Sequence, residues 1–135
     1  MSLMTHLKKL CSLDGVSGSE DAVRDYILKV LAASPAEMTV TVDPLGSVIA
    51  RIKGEKPAAR TLLFAAHMDE VGLIITGVTD DGYLRFSAVG GVEARVLYGK
   101  CVKVNSYTGV IGGKAVHQCT PEEKKEAPSL EQLLI

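Results

Sequence analysis

The tetrad His67-Met68-Asp69-Glu70 is the densest concentration of chemistry in this chain of 135 residues. It follows directly on Thr61-Leu62-Leu63-Phe64-Ala65-Ala66, an uninterrupted apolar run that predicts a buried strand covered on both faces. The tetrad therefore stands at a strand's carboxyl end, where open α/β sheets place their sites. Side chains alternate along extended backbone, which sends His67 and Asp69 to one face and Met68 and Glu70 to the other. A neutral imidazole binds zinc or cobalt through one ring nitrogen, and a nearby carboxylate fixes its tautomer through the other. The pair suits one metal ligand with a supporting acid. One ligand is not a metal site, however, and an isolated HxD after an apolar strand is equally a solvated strand end. Glu70 stays open between a site residue and a solvent-facing charge.

The other polar features read as structure. His117 and Cys119 form an HxC pair without the further ligands that a four-coordinate zinc site needs, so His117 is a loop histidine. His6 falls on the polar side of the first helix and reads as solvated. Gly90-Gly91 and Gly112-Gly113 lack the strand–GxGxxG–helix context of nucleotide binding and read as close turns. Glu122-Glu123 sits where a helix dipole favours acids. Cys11, Cys101 and Cys119 are odd in number and contain no CxxC pair, which fits reduced thiols in a cytoplasmic protein.

The elements around the tetrad follow from periodicity. Met4, Leu7, Leu10 and Cys11 recur at helical spacing and predict a helix over residues 5–13. Met1-Ser2-Leu3 ahead of Met4 reads as a leader before a native start. Gly15-Val16-Ser17-Gly18 breaks that helix. Ser17 with Glu20 three residues on is a capping-box pattern, and Val23, Ile27, Val30 and Leu31 mark the apolar face of a second helix reaching Ala33. Residues 38–43 and 46–51 predict a hairpin across Pro44-Leu45. From Gly72 the texture changes to short β segments at 73–79, 83–88, 102–105 and 110–111, punctuated by Gly and Asp-Gly, which suggests a small barrel or sandwich. Thr120-Pro121 predicts a helix start, and Ser129 a cap for a short helix reaching Leu134.

Bulk composition narrows the partners. A hydrophobic fraction of 47% with 23% charged residues describes a folded domain rather than a disordered chain. A formal net charge of −1 without a Lys/Arg cluster excludes nucleic acid and anionic membrane as partners. No window approaches the roughly 18 to 20 apolar residues of a membrane span, and there is no signal-peptide run.

Three segments occur in the order and spacing of one family: Gly15-Val16-Ser17-Gly18-Ser19-Glu20, Asp43-Pro44-Leu45-Gly46-Ser47-Val48-Ile49-Ala50 and Ala66-His67-Met68-Asp69-Glu70-Val71-Gly72. Asp81-Gly82-Tyr83-Leu84-Arg85-Phe86, Val89-Gly90-Gly91, Gly109-Val110-Ile111-Gly112-Gly113-Lys114 with His117, and Thr120-Pro121-Glu122-Glu123 continue the match. The chain resembles the glutamyl and deblocking aminopeptidases over nearly everything after Met4. Ala115-Val116 and Tyr98 depart from it at positions where prolines are common, which touches loop shape only.

The resemblance implies an α/β fold in which residues 1–71 belong to a phosphorylase/hydrolase-like metallopeptidase catalytic domain. Residues 72–135 would be a small β-barrel-like inserted domain that pairs copies into dimers and a dodecameric tetrahedral shell. It further implies that two divalent metal ions, zinc or cobalt, drive the removal of N-terminal residues from peptide substrates. His67 would be a ligand to one ion and Asp69 the catalytic aspartate that orients the site. The metal-bridging aspartate of that family is expected just past Leu130-Glu131-Gln132-Leu133-Leu134-Ile135, so the chain as given is expected to hold no ions and to be inactive alone. A rival reading from another class is a non-catalytic self-association or peptide-binding β module. A glycan hydrolase ranks last, because some relatives carry a glucanase label but the chain has no Trp for sugar stacking.

Overall fold

Local pattern accounts for most of the regular structure in the computed structural model, which describes residues 2–54, 60–122, 125 and 128–135. The chain divides into two units, Met1–Glu70 and Val71–Ile135.

The first unit opens with α1 (Leu3–Leu10), earlier than residue 5 because the Ser2 hydroxyl accepts from the Thr5 amide and caps the helix. Ser2 and Leu3, read as part of a leader, are thus the cap and first residue of this helix. α2 (Asp21–Ala32) buries Val23. Its expected capping box is not made: Glu20 occupies the N-cap position, and its carboxylate accepts from the Gly18 amide at 2.7 Å. Ser17 is left to do something else. β1 (Met38–Val42) and β2 (Val48–Ile52) form the predicted antiparallel hairpin, with Met38 opposite Ile52 and Val42 opposite Val48. Its turn is organised by Asp43, whose Oδ1 accepts from the amides of Leu45 at 2.9 Å and Ser47 at 2.8 Å. Those donors, the Ser47 amide foremost, hold the Asp43 carboxyl below the ordinary carboxylate range. Gly46 closes the turn at φ +89°, a conformation that costs glycine nothing.

Residues 61–66 correct the sequence reading. They join no sheet among the described residues, and Leu62, Leu63 and Phe64 are 79, 82 and 87% exposed. An apolar run becomes a doubly covered strand only where flanking strands and helices cover it. Among the described residues of this unit none do so.

The second unit is built from hairpins. β3 (Gly72–Val78) pairs antiparallel with β4 (Leu84–Val89), the register slipping between Ile75 and Gly77 so that Thr76 is the extra residue of a bulge. A short helix α3 (Ala94–Leu97) leads to β5 (Cys101–Val104) and β6 (Tyr107–Val110). Asn105 takes φ +52° in the two-residue turn between them, a conformation that Asn tolerates better than most side chains. Beyond them Ser129 stands at the start of a 3-10 turn, Leu130–Gln132, where its amide donates to Gln132 Oε1 at 2.9 Å. Pro121 and Glu122 form a turn, and the rest of the helix start expected there lies outside the described residues.

The last two residues join the hairpins. Leu134 exchanges main-chain hydrogen bonds with Gly112, at 2.8 and 2.9 Å, and Ile135 with Leu84 at 2.9 and 3.0 Å. Beneath them Phe86, Ile111 and Leu133 form a core flanked by Leu73, Leu97 and Val102. The expected barrel does not close. A barrel needs each edge strand to pair with its neighbour, whereas among the described residues β3 pairs only with β4 and β5 only with β6. No helix among them is long and apolar enough to cross a membrane.

Candidate metal and catalytic site

The loop between α1 and α2 lies beside the chemical tetrad. Glu70 donates its amide to the Gly15 carbonyl at 2.7 Å, and Ser17 donates its own to the Glu70 carbonyl at 3.3 Å, which makes a one-residue parallel bridge between Val16 and Glu70. Gly15 can carry no side chain here, because a Cβ would stand 2.9 Å from Val23 Cγ2 and 3.4 Å from the Met68 carbonyl. The loop is thus pinned against α2 on one side and residues 68–70 on the other. From this loop the Ser17 hydroxyl reaches Asp69 and donates to Oδ2 at 2.6 Å. That is the length of a charge-assisted O–H···O⁻ bond.

Asp69 uses its other oxygen on His67. His67 Nδ1 lies 3.0 Å from Asp69 Oδ1 and 3.0 Å from the Asp69 carbonyl oxygen. Both partners only accept, so the ring hydrogen belongs on Nδ1 and the lone pair on Nε2. Among the described residues Nε2 has no partner, and the His67 side chain is 85% exposed while that of Asp69 is 41% exposed. Ser17's hydrogen bond is the main influence holding the Asp69 carboxyl below the ordinary carboxylate range; partial desolvation opposes it and His67 adds to it.

Met68 and Asp69 also line an open cleft of about 460 Å³ in this unit, whose other lining includes Arg24 of α2 and the Asp43 turn. Arg24 is held there by carboxylates, with Asp21 three residues before it and Asp25 beside it. The cleft wall is acidic at Glu20, Asp43 and Asp69.

The structure therefore brings His67 and Asp69 together as neighbours. Glu70 contributes its backbone to the bridge with Gly15 and Ser17, and its side chain is exposed. His117 sits in a 3-10 turn, Val116–Gln118, where Cys119 Sγ donates to the Ala115 carbonyl at 3.4 Å. His6 differs from its reading: it is half-buried, with Nδ1 2.8 Å from the Tyr26 hydroxyl, a pairing that joins α1 to α2. Ser17 was missed as a site residue. The signal that hid it was Ser-x-x-Glu itself, which reads as a cap when only local bonds are considered. Among the described residues no three His, Cys, Asp or Glu side chains gather where a metal ion could be held. The donor set they offer is one imidazole with its supporting carboxylate, which fits one ligand position on a zinc-like ion.

Comparison with known proteins follows the same residues. The family model of the M42 glutamyl aminopeptidases matches residues 46–135. The lysyl aminopeptidase of Pyrococcus furiosus is 37% identical over 113 residues, which cover 78% of this chain and 31% of that protein. The TET1 peptidase of Pyrococcus horikoshii, which can assemble into a tetrahedron or a large octahedral shell, matches with a TM-score of 0.76 and 36% identity over 98% of this chain and 39% of its own. A Thermotoga maritima structure described as an endoglucanase matches with a TM-score of 0.76 and 38% identity, covering 96% of this chain and 37% of that one. The chain spans about a third of the length of the curated relatives it matches.

Proposed function

The chain belongs to the M42 glutamyl aminopeptidase family, and on that premise we propose that the protein removes N-terminal residues from peptides by metal-dependent hydrolysis, with His67 as a metal ligand. The observation that carries this reading is the state of the His67 ring. Its Nδ1 is committed to two acceptors from Asp69, which leaves the Nε2 lone pair for an ion. Asp69 orients the site by keeping that tautomer and stopping ring rotation. Two divalent ions, zinc or cobalt, would when bound lower the pKa of a shared water and polarise the scissile carbonyl.

His67 and Asp69 are one corner of such a site. The further ligands and the glutamate base of this reading come from outside the described residues, and the 135 residues alone are expected to show no turnover. In the same reading residues 1–71 belong to the catalytic domain and residues 72–135 to an inserted β domain through which copies pair, building from dimers to a dodecamer. Support for assembly comes from the shells of the P. horikoshii relative and from exposed apolar side chains on the hairpins, Ile74, Val78, Tyr107 and Val110 among them. The three free thiols support a reducing, cytoplasmic compartment.

Those same exposed side chains favour the rival reading, a non-catalytic self-association or peptide-binding module. A glucanase activity, as in the description of the T. maritima relative, would need a stacking platform for sugars, and this chain has no Trp. Calorimetric titration of the full-length protein with zinc, wild type against His67→Ala, separates the first two readings, alongside release of nitroaniline from aminoacyl-nitroanilides. We expect the variant to lose the tight ion and the turnover together. Equal zinc binding by both proteins would leave the module.

A further inference from the structure

We infer that Ser17 is a positioning residue for the His67 metal ligand, acting through Asp69. This inference rests on the reading of His67 as a ligand, and it concerns a residue 52 positions from Asp69 in sequence. The Asp69 carboxylate has two oxygens with separate duties, Oδ2 accepting from Ser17 at 2.6 Å and Oδ1 facing His67 Nδ1 at 3.0 Å. A carboxylate held at one oxygen only would turn about its terminal bond, a broad torsion with little intrinsic preference. Held at both, it presents Oδ1 to the imidazole in one orientation. The Ser17 hydroxyl is itself delivered by a fixed backbone, bonded from its amide to the Glu70 carbonyl and anchored through the Glu70 amide to Gly15. Asp69 and Glu70 are adjacent, so the segment that carries the acid also carries the strut that aims the serine at it. Gly15 permits this approach, since a side chain there would collide with Val23. Ser17 lies outside the helix cap, since Glu20 holds the N-cap position and its carboxylate accepts from the Gly18 amide.

The test uses the full-length protein as wild type, Ser17→Ala, Ser17→Thr and His67→Ala. Zinc affinity is read by calorimetry, and the tautomer of His67 in the metal-free protein by long-range proton–nitrogen NMR near pH 8, where an ordinary imidazole is neutral. Ser17→Ala should weaken zinc binding by about 3- to 10-fold, a fraction of the roughly 10- to 100-fold that follows loss of an outer-shell carboxylate. It should also raise the Nε2–H fraction of His67, since only the Asp69 carbonyl then holds the hydrogen on Nδ1 firmly. Ser17→Thr keeps the hydroxyl and should bind zinc within about twofold of wild type, given that one hydrogen bond to a charged group is at stake. Wild-type affinity and tautomer in Ser17→Ala, with binding lost in His67→Ala, overturns the role of Ser17 and leaves the metal reading intact. Undiminished binding in His67→Ala overturns both. Should Ser17→Ala fail to fold, an Nε2–H ring in the metal-free wild type, or a Ser17→Thr protein that folds but loses zinc tenfold, overturns the inference.

Discussion

Leu84 and Ile135 exchange both of their main-chain hydrogen bonds, at 2.9 and 3.0 Å, across 51 residues of chain. Through this pair and the adjoining exchange of Leu134 with Gly112, a two-residue segment joins the start of β4 to Gly112, two residues past β6. Leu133, one residue earlier, is 1% exposed against Phe86 and Ile111. The second unit thus owes its coherence to backbone bonds at the surface and three side chains beneath them.

Truncating that core has a predictable cost. Leu133→Ala should destabilise the protein by about 2–5 kcal/mol, the range for removing a buried leucine side chain from a packed site. Leu45→Ala, at a residue 93% exposed in the β1–β2 turn, should change stability by less than about 0.5 kcal/mol. Guanidinium unfolding followed by circular dichroism measures both, and a Leu133 effect no larger than the Leu45 one would contradict the packing described.

Gly90 faces two constraints at once. Its φ is +84°, and an added Cβ would stand 2.9 Å from Val71 Cγ1. Gly90→Ala should therefore cost about 1–3 kcal/mol, combining left-handed strain with crowding of a branched side chain. Gly82→Ala shares the positive φ, at +86°, but meets nothing within 4 Å, so thermal melts should show it to be the milder variant.

Acid should loosen the β1–β2 turn. The Asp43 carboxyl is held below its ordinary value by the Ser47 and Leu45 amides, so its charged form is favoured by folding. Its contribution is fully present above the unfolded carboxylate pKa, about 3.9, and is lost as pH falls through the lower folded value. Asp43→Asn cannot titrate, and its melting temperature should fall less than that of wild type between about pH 5 and pH 2. Parallel acid limbs for the two proteins would show that the turn carboxylate does not contribute.

Asp69→Asn should weaken zinc binding by roughly 10- to 100-fold. With Ser17 donating to the amide oxygen, the amide NH₂ faces Nδ1 of His67 and competes with the Asp69 carbonyl for it, shifting the ring hydrogen toward Nε2, the nitrogen needed for the ion. Calorimetry on the full-length protein reads the loss, and an unchanged affinity would mean that the carboxylate does not set the tautomer.

The residues alone determined those features whose bonds close within a few positions. The β1–β2 hairpin follows from alternation on either side of Asp43-Pro44-Leu45-Gly46, and Asp43 makes its bonds two and four residues ahead. The β3–β4 hairpin follows likewise from Gly82, whereas the β5–β6 turn falls at Asn105, which the strand pattern placed inside a strand over 102–105. His67 and Asp69 were legible as a pair because two residues is the repeat that returns a side chain to the same face. Tertiary structure decided what depends on contacts distant in sequence. Whether residues 61–66 are covered depends on neighbours that an apolar pattern does not name, and Leu62, Leu63 and Phe64 lie exposed among the described residues. Local sequence offers the Ser17 oxygen a helix amide to accept from but names no acceptor for its proton, which Asp69, 52 residues on, supplies. The destination of a serine's proton is assigned only when the chain brings an acceptor within reach, here the Asp69 carboxylate at 2.6 Å.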